Sequence, residues 1–296
     1  VGTWGYLIQS LGVENIKKHW RYLVARWAAY PVIFCMAGEA TMPYYLSTSK
    51  KEDAATLKAS WSDVTRYVRS IEPYDRLLTI HPTEIGRDQI EDDSLIDINM
   101  LQTGHGGIEA AQNTTVKVRE QYERNPYMPV VVSEVNYEGI LHDSGADRQR
   151  LQFWISMLKG AIGYTYGANG LWQVDRLDRR YGASPHGASW GDTPWDEAYR
   201  FPGSTHVGIG KKILERFDWQ NMTPHPEWLY PDIDSDDTSA PVSAGVTKQF
   251  RIIYCYEPIL PWDKNAVAVT GFEPDCTYSA SYWDPRTGNE HELGTV

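Results

Sequence analysis

The sequence predicts an α/β fold: a partial (β/α)8 TIM barrel that holds strands three to eight, followed by a small all-β sandwich. Apolar runs alternate with amphipathic helices through the first half of the chain, which favours a parallel sheet. Polar and aromatic residues follow the apolar runs, as they do at the C-terminal strand ends of barrel enzymes. No glycine-rich phosphate loop follows a run, although a doubly wound sheet usually carries one.

The barrel elements begin with a strand end at residues 1–5 and a helix over about 14–29. Ile16, Trp20 and Trp27 recur on one face of that helix, which predicts that this face is buried. If residues 1–5 end strand three, the strand count predicts that the first barrel strands are missing from this chain. The later elements are strands at 32–37, 77–80, 97–102, 129–133 and 160–166, and helices at about 52–70, 108–124 and 146–159.

The second part of the chain changes character. A loop rich in glycine, proline and tryptophan spans 176–203, and a helix follows at about 205–216. Short alternating strands with turn residues between them then predict a sandwich, at 250–256, 266–270 and 278–283. We therefore predict a barrel domain at 1–235 and a C-terminal β-sandwich at 236–296 that is itself incomplete.

The chain is acidic and rich in tryptophan and tyrosine. Its 296 residues carry a formal net charge of -11, which argues against a nucleic-acid partner because phosphate binding needs clustered Lys and Arg. No apolar stretch is long enough to predict a membrane span. The 12 Trp and 19 Tyr against 6 Phe favour a carbohydrate partner, because these rings combine apolar faces with a polar edge. The alternative is that these rings pack in the core.

Cysteine and histidine spacing predicts neither a metal nor a cofactor. Cys35, Cys255 and Cys276 have no partner at metal-ligand spacing, and no two histidines are spaced as a zinc pair. Cys255 and Cys276 lie in the β-rich region, where they are either bridged to each other or two separate thiols.

Two glutamates that follow buried strands are the candidate catalytic residues. Glu39 comes after the apolar run 32–37, and Glu134 comes after the run 129–133. Strands four and seven of a barrel lie across from each other, so we expect these carboxylates to face each other over the cleft. Retaining glycosidases use such a pair, one as nucleophile and one as acid/base. The structural alternative for each glutamate is a helix N-cap or an ion pair at the rim.

Further side chains at strand ends are candidates for binding a sugar. Imidazole, amide and hydroxyl groups hydrogen-bond to sugar hydroxyls, and aromatic rings stack on sugar faces. For each of them, capping or core packing is the structural alternative. Glu138 is expected either at the rim or in the layer of residues behind the catalytic ones, although it rivals Glu134 for the nucleophile role. The predicted substrate-binding residues are Trp4, His81, Gln102, His105, Tyr137, Tyr166, Asn169 and Trp172.

Four segments resemble the apiosidase-like glycoside hydrolases: RYLVARWAAYPVIFCMAGEA (21–40), PVVVSEVNYEG (129–139), GAIGYTYGANGLWQV (160–174) and YWDPRTGNE (282–290). The resemblance implies a (β/α)8 barrel followed by a β-sandwich of the collagen-binding type. It also implies an acid/base after strand four and a nucleophile after strand seven, which map onto Glu39 and Glu134. A secreted or periplasmic location is implied by the resemblance alone.

The strand-four motif departs from that family. The motif more usually ends in Gly-Gly-Asp, whereas this chain has Ala37-Gly38-Glu39. Because a glutamate reaches one methylene further, we expect the substrate to be placed differently. The sequence therefore predicts a retaining glycoside hydrolase that acts on a polysaccharide or oligosaccharide side chain. The alternative is a carbohydrate-binding or surface-adhesion protein that keeps the barrel without its chemistry.

Overall fold

The chain forms two compact units. The structure is a computed structural model that describes residues 4–184, 190–231, 236–238, 240–256 and 267–296. Unit 1 contains the described residues of 1–102, 124–133 and 183–188, and unit 2 contains those of 103–123, 134–182 and 189–296. No helix in the described part of the chain is both long and apolar enough to cross a membrane.

Unit 1 alternates helices with short strands that run parallel. β1 pairs with β2 in the register Phe34↔Leu78. Thr79 forms a parallel bridge with Ile98, just before β3, and β3 lies beside β4 in one sheet. The mixed α/β class predicted from the sequence is confirmed. The elements are α1 (Leu7–Leu11), α2 (Val13–Trp27), β1 (Phe34–Cys35), α3 (Lys50–Ile71), β2 (Leu78–Thr79), β3 (Asn99–Gln102) and β4 (Val130–Glu134), whose last residue belongs to unit 2.

The core of unit 1 forms where α2 and α3 present their apolar stripes. Ile16, Trp20 and Val24 recur every fourth residue of α2 and are buried, as an amphipathic helix requires. Leu57 and Trp61 of α3 are fully buried in the same cluster. The indole N–H of Trp61 donates to the backbone oxygen of Gly5 at 3.1 Å, so this large side chain keeps its polar atom satisfied inside the core.

Trp27 differs from the sequence prediction. It was expected on the buried face of α2, but it is 44% exposed. Trp27 is the last residue of the helix, and its ring packs on the surface against Tyr30, with ring centroids 5.9 Å apart, and under the Arg26 guanidinium at 5.4 Å. A tryptophan at a helix end thus packs locally, beyond the reach of the core.

The described part of unit 2 joins four helices to a set of short strands. Trp154 and Leu158 of α5 are buried in one cluster with Ile213 of α7, Val242 of β8 and Tyr254 of β9. The C-terminal strands therefore share a core with these helices. The elements are α4 (Ile108–Glu123), α5 (Ala146–Leu158), β5 (Ala161–Tyr164), α6 (Trp195–Ala198), α7 (Gly203–Leu214), β6 (Thr223–Pro224), β7 (Leu229–Tyr230), β8 (Val242–Val246), β9 (Phe250–Tyr254), β10 (Ala268–Val269), β11 (Ser279–Trp283) and β12 (Glu290–Thr295).

The C-terminal strands form three small sheets, in the orders β6–β8–β9, β10–β7 and β11–β12. All of these pairs are antiparallel. β6 lies at Thr223–Pro224 and already pairs with β8. The division into a barrel domain at 1–235 and a β-sandwich at 236–296 stays a prediction.

Some elements differ from the sequence prediction. Trp4 and Gly5 form a bend and a turn that lead into α1, so the described part of the expected strand end at 1–5 is not a strand. The run 32–37 contributes only the two residues of β1, because the pairing with β2 extends over just two residues. Residues 1–3, 185–189 and 266 of the predicted elements lie outside the described residues. Cys35, Cys255 and Cys276 are free thiols, so the two C-terminal cysteines are not bridged.

Candidate active site

Glu39 lies in a strained turn directly after β1. Its φ of 45° is in the left-handed region, which few residues other than glycine adopt and which clusters at functional sites. The flanking backbone fixes the turn: the His81 N–H donates to Ala37 O at 3.0 Å, and the Ala40 N–H donates to His81 O at 3.1 Å. The backbone of the half-buried His81 therefore binds Ala37 and Ala40, which lie on either side of Glu39 in the chain.

Gln102, predicted from the sequence as a residue that binds a sugar, lies against Glu39. It is the last residue of β3 and is 8% exposed. Its Nε2 donates to Glu39 Oε1 at 3.3 Å. Its Oε1 is buried without a hydrogen-bond partner among the described residues. A buried amide oxygen with no partner is costly, so this acceptor is suited to a hydroxyl group of a ligand.

Aromatic rings flank the Glu39 turn. Trp4 stacks on Tyr6 with ring centroids 6.0 Å apart and meets the Tyr45 ring edge-on at 5.7 Å. Gly5 lies directly against the backbone of Ala40, since a Cβ on Gly5 would fall 1.9 Å from Ala40 O. Trp4, a predicted substrate-binding residue, thus has two aromatic neighbours that sequence reasoning missed, Tyr6 and Tyr45.

Glu134 ends β4 and accepts from two side chains. The Nε2 of His105 lies 2.9 Å from Glu134 Oε1, and the Tyr137 hydroxyl donates to the same oxygen. The His105 and Glu134 side chains are each only 15% exposed. The tautomer with hydrogen on Nε2 is the one that lets His105 donate to the carboxylate. Both donors stabilise a negative charge on this oxygen.

The donors to Glu134 also hold each other. The His105 and Tyr137 rings have centroids 4.5 Å apart, at an interplanar angle of 38°. The edge of Trp190 approaches the His105 ring at 5.9 Å. No pattern in the sequence marks Trp190, because it lies in a long irregular loop far from any predicted strand end. The aromatic rings thus restrict the orientation of both groups that contact the carboxylate.

Asn136 is a second residue that sequence reasoning missed. It is 1% exposed. Its side-chain oxygen accepts from the Gly106 N–H, and its amide donates to Gly106 O and, at 3.2 Å, to Gly107 O. The Asn136 amide thereby clamps the loop that carries His105. Its place two residues after Glu134 is the only sequence signal that could have found it.

Glu138 and Tyr166 form a buried pair away from Glu134. Glu138 is 4% exposed, and its Oε2 accepts from the Tyr166 hydroxyl at 2.6 Å and from the Gly203 N–H at 2.8 Å. Burial raises the pKa of the Glu138 carboxyl, against the effect of these two donors. Burial, and then the hydrogen bond to Glu138, raise the pKa of Tyr166. Glu138 is therefore interior rather than at the rim, and the Tyr166 hydroxyl faces a protein group.

Asn169 and Trp172 have different surroundings. Asn169 is 0% exposed, and its Oδ1 accepts from Gln173 Nε2 at 3.0 Å, so it braces the loop after β5. Trp172 is 41% exposed, and its ring meets the Tyr181 ring edge-on at 5.1 Å. Of these two predicted binding residues, only Trp172 presents a surface to solvent. Among the described residues, no group of three histidines, cysteines or acidic residues could hold a metal ion.

Comparisons with known proteins concern the family and the fold of the chain. The family profile described as apiosidase-like, catalytic domain, matches residues 2–221. No protein with a curated description matches the chain.

A solved glycoside hydrolase family 5 protein from Bacteroides vulgatus is similar, with a TM-score of 0.75 and 20% identity over 99% of this chain and 63% of its own. A second structure, described only as a glycoside hydrolase, has a TM-score of 0.73 and 18% identity over 99% of this chain and 66% of its own. The chain thus spans less than two thirds of the length of either protein, and the likeness is one of fold.

Proposed function

The chain belongs to the apiosidase-like catalytic-domain family, and on that premise we propose that it is a retaining glycoside hydrolase. Its substrate is a polysaccharide or oligosaccharide that carries a sugar side chain. Glu134 and Glu39 perform a double displacement on the bond to that side chain. The observation that carries the proposal is the pair of donors on one oxygen of Glu134, His105 Nε2 at 2.9 Å and the Tyr137 hydroxyl.

Glu134 is the nucleophile in this mechanism. A nucleophilic carboxylate must be ionised when the substrate arrives and must point one oxygen at the anomeric carbon. His105 and Tyr137 stabilise the ionised form and hold Oε1. The other oxygen of Glu134 forms the bond to the anomeric carbon as the bond to the leaving oxygen breaks. Water then cleaves this glycosyl ester and releases the sugar with its original anomeric configuration.

Glu39 is the acid/base. It protonates the leaving oxygen in the first step and removes a proton from water in the second. Gln102 Nε2 donates to Glu39 Oε1 at 3.3 Å, so a neutral amide lies beside the carboxyl group of the acid/base.

The fold and the aromatic residues support the same proposal. We propose that the parallel strands of unit 1 belong to a (β/α)8 barrel, supported by the successive pairing of β1, β2 and β3 with a helix before each of the first two. Trp4 and Tyr45 beside the Glu39 turn, and the exposed Trp172, are proposed to stack on sugar faces. A secreted or periplasmic location is proposed from the resemblance alone.

The decisive experiment measures turnover and the configuration of the product. Aryl glycosides of apiose and of common pentoses and hexoses are the probes, and NMR reads the first-formed anomer. Glu134→Gln and Glu39→Gln should each lower kcat by at least about a thousandfold, since each removes a group that makes or breaks a bond. Glu120→Gln, an exposed change on α4, is the matched control and should keep full activity.

Azide distinguishes the two roles. With an activated aryl glycoside, azide should restore turnover of Glu39→Gln and give a glycosyl azide of retained configuration. In a nucleophile variant with a smaller side chain, Glu134→Gly, azide should give the inverted configuration. If the wild-type protein releases the sugar with the inverted anomeric configuration, Glu134 acts as a general base and not as a nucleophile. Sugar binding without turnover on any probe would favour the carbohydrate-binding alternative.

A further inference from the structure

Glu138 joins three segments of unit 2 through its backbone and its side chain. Its N–H donates to Gly167 O at 2.9 Å, and its O accepts from the Asn169 N–H at 2.8 Å, which makes a parallel bridge to the loop after β5. Its Oε2 accepts from Tyr166 in that loop and from Gly203 at the start of α7. One buried residue thus fixes the loop after β5 against the segment that follows Glu134.

Gly167 and Gly203 are the contact points of this junction. A Cβ on Gly167 would lie 2.4 Å from Cδ1 of the Tyr137 ring, so the backbone of the loop lies directly against that ring. A Cβ on Gly203 would lie 2.2 Å from Glu138 Oε2. No larger residue fits at either place without displacing its neighbour. The Tyr137 ring therefore contacts both the Gly167 backbone and the His105 ring.

We propose that Glu138 is a positioning residue that holds the Tyr137 hydroxyl on Glu134 by fixing Gly167 behind the tyrosine ring. Glu138 itself touches neither Glu134 nor the reacting atoms. No cationic side chain among the described residues forms an ion pair with it, so its short hydrogen bonds to Tyr166 and Gly203 are the contacts that stabilise its burial. When these bonds are lost, Tyr166, the residue before Gly167, is no longer anchored, and only the backbone bridge from Glu138 keeps the loop in place against the Tyr137 ring. The proposal rests on the proposed role of Glu134.

A double-mutant cycle on kcat tests whether Glu138 acts through Tyr137. Glu138→Ala should lower kcat about tenfold to a hundredfold, the loss of one hydrogen bond to a charged group, and change KM little. Tyr137→Phe should have a similar effect. In the Tyr137→Phe background, Glu138→Ala should cost little more, because the hydroxyl it positions is already absent. Glu138→Gln keeps an acceptor for Tyr166 and Gly203, so it should restore most of the activity.

Gly167→Ala tests the contact from the other side. It leaves every hydrogen bond of Glu138 chemically possible but pushes the Tyr137 ring, so its kcat should resemble that of Tyr137→Phe. Gly208→Ala in α7, where an added Cβ meets no atom within 4 Å, is the control. Full additivity of Glu138→Ala with Tyr137→Phe would overturn the proposal, because two independent effects multiply.

Crystal structures separate this proposal from the proposed function. In Glu138→Ala and Gly167→Ala, the Tyr137 hydroxyl should move out of hydrogen-bond distance of Glu134, whereas in Glu138→Gln it should remain. This outcome does not depend on hydrolysis. If the wild-type protein is inactive but Tyr137 moves in both variants, the proposed hydrolase activity is wrong and the positioning role of Glu138 stands. An unmoved Tyr137 in both variants would overturn the positioning role, whatever the activity.

Discussion

The Nε2 of His105 lies 2.9 Å from Oε1 of Glu134, and the two side chains are equally buried. A donor in this position stabilises the carboxylate before reaction and must release it as the glycosyl ester forms. His105→Ala should therefore lower kcat by about tenfold to a hundredfold, as expected for a hydrogen bond to a charged group. Steady-state kinetics on an aryl glycoside measure this loss.

His19→Ala is the control for that change, because His19 is exposed on α2 and should leave kcat unchanged. His105→Gln offers an amide donor of similar reach and should recover part of the rate. Equal kcat for wild type and His105→Ala would contradict a role for this histidine at Glu134.

Gln102 gives a second prediction, on the pH profile. Its Nε2 lies 3.3 Å from Glu39 Oε1, so Gln102→Glu places a second carboxyl beside Glu39. Two carboxylates this close repel when both are ionised, and the pair retains a proton to higher pH. The alkaline limb of the kcat/KM profile should therefore move to higher pH.

Glutamine and glutamate have the same size, so Gln102→Glu changes the charge at this position and not the volume. Gln102→Met keeps most of the volume and carries no charge, so it should lower activity without moving the alkaline limb. A limb that stays in place in Gln102→Glu would remove Glu39 from the role of acid.

The sequence was sufficient to predict the mixed α/β class of the fold, but it did not predict the contacts around the two candidate glutamates. The apolar runs before Glu39 and Glu134 predicted that each glutamate follows a strand, because burial of a parallel strand needs continuous apolar residues. Periodicity says nothing about loops, so Trp190 was missed. Asn136 and Glu138 were visible beside Glu134, but only the folded chain shows that their partners are loops distant in sequence.

Helix α7 offers a matched pair of glycines for a stability prediction. A Cβ on Gly210 would lie 2.3 Å from Cε1 of Phe153 in α5, whereas one on Gly208 would meet no atom within 4 Å. Gly208→Ala should raise the free energy of unfolding by up to about 1 kcal/mol, because alanine is the better helix former. Gly210→Ala should lower it by about 1–3 kcal/mol through overpacking.

Chemical denaturation of the two variants measures both changes. Gly210→Ala combined with Phe153→Leu should lose less stability than the sum of the single changes, since the smaller side chain makes room for the new methyl group. A stabilised Gly210→Ala would show that α5 and α7 are less closely packed than the structure indicates.

Glu273 predicts a pH dependence in the C-terminal strands. Its Oε2 accepts from the Tyr278 hydroxyl at 2.7 Å and from Arg251 at 2.9 Å, and these contacts, that of Tyr278 first, lower the pKa of Glu273 to about 2. A carboxyl whose pKa is lowered by folding stabilises the protein above its unfolded pKa, near 4.5, and this contribution is lost as the pH falls toward 2. The wild-type protein should therefore exceed Glu273→Gln in Tm at neutral pH, and the difference should shrink as the pH falls below about 4.5.

Glu292→Gln on β12, an exposed position in the same region, should show no such convergence, which excludes a general effect of removing one negative charge. A Tm difference between wild type and Glu273→Gln that stays constant down to acidic pH would mean that the carboxylate form is not what Tyr278 and Arg251 stabilise.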